Sequence, residues 1–148
     1  MKYYVSRINI ISTLSMLKCV LFHQAYPIIL SINKKRVIVY GVVRIKNILF
    51  LCSQNKRRSL TAEKIFNGVN GHAVCSAGTE NNSRIKVTPG IIGWADIIYC
   101  MEKKHVRRIK EKYNDLLIGK EVVCLNIPDE YAFMDDELIL LLQSLISL

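Results

Sequence analysis

The sequence has no two cysteines at C-x-x-C spacing and no cluster of Cys and His at the spacing of metal ligands. Structural zinc is held at such spacings, so we predict no metal site. The five cysteines are an odd number, and three of them, Cys75, Cys100 and Cys124, lie in apolar runs typical of strands. This pattern favours reduced thiols in a cytoplasmic protein over a disulfide framework.

Acidic residues are absent from residues 1–45, which hold seven basic residues and therefore a net charge of +7. Residues 46–148 hold the other fourteen basic residues and all twelve acids, a net charge of only +2. The basic excess of the chain thus belongs to its first segment and not to the remainder. Binding to a polynucleotide is correspondingly disfavoured for residues 46–148.

Residues 1–45 form an unassigned basic and apolar extension. A signal peptide would need a continuous apolar centre and a small-residue cleavage site, and here the centre is interrupted and the site is missing. Lys18 lies in the middle of the apolar stretch and makes a membrane span marginal. Three interpretations stay open: a poorly ordered extension, a membrane-associating segment, or an extra packed helix or strand.

Residues 47–66 are the most informative stretch. The apolar run 48–51 ends on Cys52, and Arg58 follows six residues later. A helical pattern then begins, with apolar residues recurring on one face. The pattern predicts a strand, a loop that begins at Cys52, and a helix with Arg58 at its first turn.

A loop of this kind is suited to binding phosphate. The first N–H groups of a helix have no partners within the helix, and the helix dipole adds positive charge there. Arg58 can add two parallel hydrogen bonds to phosphate oxygens, and the same field stabilises a thiolate at Cys52. The alternative is a buried cysteine at a strand end beside a solvated basic turn.

Strand and helix patterns alternate from Lys46 onward, with strands near 47–51, 72–77, 95–101 and 121–127. This order predicts an α/β domain over residues 46–148, with a small four-stranded parallel sheet and helices on both faces. Ligands of such sheets bind at the carboxyl ends of the strands. Asp129, which follows the last strand, can therefore come near Cys52.

Residues 52–59 resemble the phosphate-binding loop of the low-molecular-weight protein tyrosine phosphatases. Residues 76–79 resemble the end of that family's second strand, and residues 127–131 resemble its acid-bearing loop. The short bacterial members of the family are the most similar. The resemblance runs from Lys46 to Ile146 and implies the phosphotyrosine phosphatase I-like fold.

Two residues of the loop differ from the usual family pattern. Gln54 stands where the family has Gly, which has wider conformational freedom. Arg57 stands where the family has a second Cys, which would form a protective disulfide with the first. The segment between Thr79 and Thr88 is also shorter than in the full-length family.

The resemblance implies hydrolysis of a phosphate monoester through a phosphocysteine and without a cofactor. A phosphorylated protein is the substrate that it implies first, through phosphotyrosine, but a small phosphomonoester and a phosphoarginine side chain present the same dianion and stay open. Cys52 is then the nucleophile, Arg58 binds the phosphate, and Asp129 is the general acid. Tyr131 lines the entrance, or else packs in the core. The remaining phosphate-binding residues are Ser53, Gln54, Asn55, Lys56, Arg57 and Ser59.

Two other functions stay open from the sequence. An arsenate reductase of related fold would need further thiols near Cys52 to relay a disulfide. A non-catalytic phosphate- or phosphopeptide-binding module would explain the altered loop. Asp129 is then an ordinary turn residue after Pro128. We assign no role to the histidines, and we assign Trp94 and Phe133 to the core.

Overall fold

A computed structural model of the chain describes residues 25–32, 35–42 and 45–148, the last range with its side chains. The chain divides into two compact units, Met1–Arg44 and Ile45–Leu148. No helix within these described ranges is long and apolar enough to cross a membrane.

The described residues of the first unit, 25–32 and 35–42, form a pair of strands. Strand β1 (Ala25–Ile32) pairs antiparallel with strand β2 (Lys35–Val42). This pair lies inside the segment that the sequence leaves unassigned. The interpretations of residues 1–24 fall outside the described residues.

The second unit contains four strands that alternate with four α-helices. In chain order they are β3 (Asn47–Cys52), α1 (Arg58–Phe66), β4 (Ala73–Gly78), α2 (Pro89–Trp94), β5 (Ile97–Cys100), α3 (Lys103–Tyr113), β6 (Glu121–Cys124) and α4 (Asp136–Leu145). The strands form one parallel sheet in the order β4-β3-β5-β6. The predicted fold class is therefore confirmed.

Strand β3 lies inside the sheet, and both of its faces are covered. Ile48 and Phe50 belong to a core cluster that includes residues of α1 and α4. Leu49 and Leu51 belong to a second cluster that includes residues of α2 and α3. Successive side chains of a strand point to opposite faces, so α1 and α4 cover one face of the sheet and α2 and α3 cover the other.

The sequence predicts one helix start at Thr88-Pro89 and another at Asp135, and two helices begin there. The hydroxyl of Thr88 accepts a hydrogen bond from the N–H of Ile91, and Pro89 occupies the first position of α2. The carboxylate of Asp135 accepts hydrogen bonds from the N–H groups of Glu137 and Leu138 at the start of α4. These caps satisfy N–H groups that have no partner within the helix.

Three expectations about the core need correction. The apolar residues between 138 and 146 cover more than one stripe and predict a largely buried last helix. In α4, however, Leu140 is 67% exposed and Leu145 is 48% exposed, and a single stripe packs inward. Phe133 is not a core residue, since it is 47% exposed. Trp94 only packs against the edge of the second cluster and is partly buried.

Candidate active site

The carboxyl ends of the strands meet at one edge of the sheet and are joined by backbone hydrogen bonds. Beyond β4, the N–H of Thr79 donates to the carbonyl of Cys52 at 2.9 Å. Beyond β6, the N–H of Ile127 donates to the carbonyl of Met101 at 2.7 Å. The segment that carries Asp129 is thereby held beside the end of β5.

A cavity of about 320 Å³ opens at this edge. Its lining consists of Cys52, Gln54, Lys56, Arg57, Arg58 and Asp129. All six are among the residues predicted from the sequence. Cys52 and Asp129, which are far apart in the chain, thus face the same space.

The loop between β3 and α1 turns its carbonyl groups outward. Four successive carbonyls accept hydrogen bonds from the segment that follows β4. These bonds join Cys52 O to Thr79 N, Ser53 O to Glu80 N, Gln54 O to Arg84 N, and Asn55 O to Arg84 Nε, at 2.9 to 3.0 Å. Because the next N–H points opposite to each carbonyl in a trans peptide, the N–H groups of the loop are directed toward its inner side.

The thiol of Cys52 lies at the centre of this curve. Its Sγ accepts a hydrogen bond from the N–H of Asn55 at 3.1 Å and lies 3.0 Å from the hydroxyl of Ser59. Asn55 adopts a left-handed conformation, φ 55°, which Asn tolerates better than most residues. The backbone N–H of Asn55 and the hydroxyl of Ser59 therefore converge on one sulfur.

A chain of buried hydrogen bonds fixes the direction of the Ser59 hydroxyl. An ionised carboxylate only accepts hydrogen bonds, so Ser76 donates to Glu63 and in turn accepts from the side-chain N–H of Asn55 at 2.7 Å. The second N–H of Asn55 donates to Ser59 Oγ at 2.9 Å. The Ser59 hydrogen is thus left to point at Cys52.

Gln54 does not strain the loop. Within residues 45–148, the non-glycine residues with positive φ are Asn55, Asn70, Asn126 and Met134, so Gln54 needs none of the freedom of glycine. The glycine that the loop does need is Gly78. A Cβ atom there would lie 2.7 Å from the carbonyl oxygen of Ser53 and would also collide with Ser83.

Arg58 is almost fully buried, with 1% of its surface exposed. Its Nη1 donates to Glu102 Oε1 at 2.7 Å and to the carbonyl of Ile127 at 2.6 Å. Its Nη2 lies 2.8 Å from Asp129 Oδ1, an ion-pair distance without the alignment of a hydrogen bond. Among the described residues, Nε and Nη2 have no hydrogen-bond acceptor. Both can therefore serve a bound oxyanion.

Solved structures share this fold. The tyrosine phosphatase Wzb from Escherichia coli K30, in complex with phosphate, is 19% identical, with 68% of this chain and 91% of that chain covered and a TM-score of 0.54. The YwlE arginine phosphatase from Geobacillus stearothermophilus is also 19% identical, with 68% of this chain and 85% of that chain covered and a TM-score of 0.54. SP-PTP, a low molecular weight protein tyrosine phosphatase from Streptococcus pyogenes, is 16% identical, with 68% of this chain and 86% of that chain covered and a TM-score of 0.52.

The chain has the fold of the low-molecular-weight tyrosine phosphatases. The fold that the sequence motifs implied is thus confirmed. The sequence itself matches no protein-family model and no curated protein. The likeness therefore fixes the phosphatase fold, while the chemistry depends on the residues at the sheet edge.

Two residues of this phosphatase-fold site were not predicted from the sequence. Glu102 follows β5 and binds Arg58 and also Lys104 Nζ, at 3.0 Å. Burial raises the pKa of Glu102, but hydrogen bonds from Arg58 and Lys104, together with their charges, outweigh it and hold the pKa below its ordinary value. Glu102 is therefore a firm anionic partner for the buried guanidinium.

His105 lies one helical turn beyond Glu102 and is completely buried. Its Nδ1 accepts from the N–H of Glu102 at 3.1 Å, so its Nε2 carries the hydrogen and donates to Ser53 Oγ at 3.0 Å. Burial lowers the pKa of His105 to about 4; the Glu102 carboxylate opposes this shift, and the smaller effects of Arg58, Lys104 and Arg108 reinforce it. The neutral imidazole thus links the two strand ends. Glutamate three residues before histidine at a helix start resembles a capping box, which was the available sequence signal.

Tyr131 does not line the cavity. It is partly buried and packs against the core cluster on the α1 and α4 face. Of its two predicted positions, the structure thus shows the packed one.

Apart from Cys52, no cysteine of residues 45–148 lines the cavity. The sequence places Cys75 and Cys124 in apolar runs typical of strands, but Cys75 is exposed on β4 and Cys124 is only half-buried. Cys100 is buried, and burial raises the pKa of its thiol to about 12. A thiol relay from Cys52 therefore has no second member within this cavity.

Proposed function

We propose that this chain is a phosphate monoester hydrolase, acting on protein phosphotyrosine through a phosphocysteine at Cys52. The observation that carries the proposal is the convergence on one small cavity of three groups. They are a sulfur with two hydrogen-bond donors, a buried guanidinium, and the Asp129 carboxyl group. Within residues 45–148 the Nε of this guanidinium has no hydrogen-bond acceptor, and its Nη2 is held only by the ion pair with Asp129.

In the first step, the Cys52 thiolate attacks phosphorus, an S–P bond forms, and the P–O bond to the leaving group breaks. The Arg58 guanidinium and the loop N–H groups bind the three equatorial oxygens, more strongly as the transition state develops. Asp129 gives its proton to the leaving oxygen. In the second step, water attacks phosphorus, its proton goes to Asp129, and phosphate and the thiolate are released. Ser59 stabilises that departing thiolate.

The ion pair between Asp129 and Arg58 requires substrate binding to come before proton transfer. Nη2 of Arg58 lies 2.8 Å from Asp129 Oδ1, and the phosphoryl group needs the same donor. A phosphate dianion that takes this position displaces the carboxyl group of Asp129, which is 51% exposed and free to turn. Substrate binding thus frees the Asp129 carboxylate, which takes a proton from solvent or from a monoanionic phosphoryl group and can then give it to the leaving oxygen.

The test compares wild type with Cys52→Ser and Asp129→Asn on p-nitrophenyl phosphate and on a phosphotyrosine peptide. We expect Cys52→Ser to abolish turnover. We expect Asp129→Asn to lower kcat by about 10²- to 10⁴-fold, and more for the peptide, because tyrosine is the poorer leaving group. Cys75→Ser and Asp115→Asn, whose residues are exposed and outside the cavity, are the matched controls. Phosphate binding without turnover by the wild type would instead indicate a binding module.

A further inference from the structure

The lining of the cavity has an excess of positive charge. Three of its six residues, Lys56, Arg57 and Arg58, are cationic, and Asp129 is its one acid. Arg58 is already neutralised, because Glu102 and Asp129 lie at 2.7 and 2.8 Å from its two terminal nitrogens. The excess positive charge at the cavity therefore comes from Lys56 and Arg57.

Lys56 and Arg57 also differ from the other basic residues around the site. Arg84 pairs with Glu63, Lys104 with Glu102, and Arg108 with Glu80, at 3.0 to 3.9 Å. Within residues 45–148, no carboxylate lies within 4.0 Å of Lys56 or Arg57. Residues 1–45 contain no acidic residue that could supply one.

The loop holds both side chains at the rim. The carbonyl of Asn55 accepts from Arg84 Nε, and the carbonyl of Arg57 accepts from the N–H of Thr61 at 2.8 Å. The backbone on either side of Lys56 is thus fixed, whereas the side chains of Lys56 and Arg57 are exposed. Two exposed cations therefore project from a fixed backbone and line the same cavity as the Cys52 thiol.

The lining contains no aromatic side chain. Tyr131 packs against the core, and Phe133 is exposed outside the cavity. The leaving group of a bound phosphomonoester therefore lies next to charged side chains at the rim and has no aromatic ring to stack against. A leaving group with its own positive charge, such as a phosphorylated guanidine, would be repelled there.

We propose that Lys56 and Arg57 select phosphomonoesters that carry a second negative charge beside the phosphate, as phosphotyrosine does in an acidic peptide. This selection rests on the phosphatase activity proposed above. The two cations attract such a substrate during approach and compensate its extra charge once it is bound.

The experiment uses the full chain and three phosphotyrosine peptides that differ only in their flanking residues, Glu, Gln or Lys. The wild type is expected to show kcat/KM about 2- to 30-fold higher for the Glu peptide than for the Gln peptide, the range given by two exposed charge pairs. The Lys peptide should be the poorest substrate. Salt should reduce the differences, because exposed charges are screened.

The double variant Lys56→Gln/Arg57→Gln should bring the Glu-to-Gln ratio close to one, whatever its effect on the absolute rates. The matched control is Lys64→Gln/Lys110→Gln, which removes the same net charge from exposed positions outside the cavity. That variant should keep the ratio of the wild type. This comparison separates a local effect of the rim from an effect of net charge.

A pair of small substrates, 3-carboxyphenyl and 3-carbamoylphenyl phosphate, distinguishes two sources of the second charge. A preference for the carboxylate here, lost in Lys56→Gln/Arg57→Gln, supports selection by charge on the leaving group itself. A preference confined to the peptides supports selection by flanking residues.

Two results would overturn the charge selection. One is equal kcat/KM of the active wild type for the Glu and Gln peptides. The other is an unchanged Glu-to-Gln ratio in Lys56→Gln/Arg57→Gln. If no substrate is turned over at all, the proposed phosphatase activity itself fails, and this outcome is distinct from a loss of preference.

Discussion

Replacing His105 by Gln tests the buried link between the strand ends quantitatively. The pKa of His105 is lowered from 6.5 to about 4, because burial disfavours the imidazolium. The groups that act on it are Glu102, which opposes the shift, and Arg58, Lys104 and Arg108, which reinforce it. The folded protein thus binds fewer protons at His105 than the unfolded chain between these two pH values.

The direction in which stability changes with pH follows from the number of protons bound in the folded and unfolded states. Stability from neutral His105 is fully present above pH 6.5 and is lost as the pH falls through about 4. A shift of this size corresponds to about 3 kcal/mol in total, at 1.36 kcal/mol per pKa unit, of which about 1.4 kcal/mol is lost by pH 5.5. This is a large part of the 5–15 kcal/mol that stabilises a typical domain.

The assay is urea unfolding at pH 7, 5.5 and 4.5 for wild type and His105→Gln. Gln keeps a donor for Ser53 but does not titrate, so the variant should lose less stability on acidification than the wild type. The difference between the two proteins removes the contribution of the other acids. Equal losses in both proteins would refute the conclusion that a neutral His105 stabilises the fold.

Three further variants test individual contacts. Gly78→Ala should lower both the free energy of unfolding and kcat/KM, because its Cβ would collide with the carbonyl oxygen of Ser53. Gly93→Ala, whose Cβ would lie in open space, is the control and should lower neither; equal losses in the two variants would contradict the steric argument. Glu102→Gln should lower kcat/KM about 10-fold, since buried Arg58 loses an anionic partner, and an unchanged value would show that Arg58 is held without it. Ser59→Ala should slow thiolate release from the phosphocysteine about 10- to 100-fold. Stopped flow should then show a burst of leaving group followed by slow turnover, and an unchanged steady-state turnover rate would show that Ser59 has no part in the chemistry.

The parallel sheet and the location of the site could be predicted because both follow from local patterns. Alternating strands and helices imply a parallel sheet, and a parallel sheet brings all strand ends to one edge. Cys52, Arg58 and Asp129 each directly follow or lie near a predicted strand end, so their meeting in one cavity required no long-range information.

The supporting network could not be predicted in the same way. His105 bonds to Ser53, and Ser76 joins Glu63 to Asn55, across elements whose relative distance the sequence does not give. Phe133 was misplaced for a related reason: its apolar character gave no information on which side of the chain faces the core. Periodicity identifies a buried face only where an element is regular.

The most direct measurement is the location of the phosphoryl group during turnover. Wild type mixed with an aryl phosphate, quenched in acid and digested, should contain one phosphoryl group on the peptide that carries Cys52, and Cys52→Ser should show neither this adduct nor turnover. Turnover without phosphorylated Cys52, or a phosphoryl group on another residue, would contradict the nucleophilic role of this cysteine.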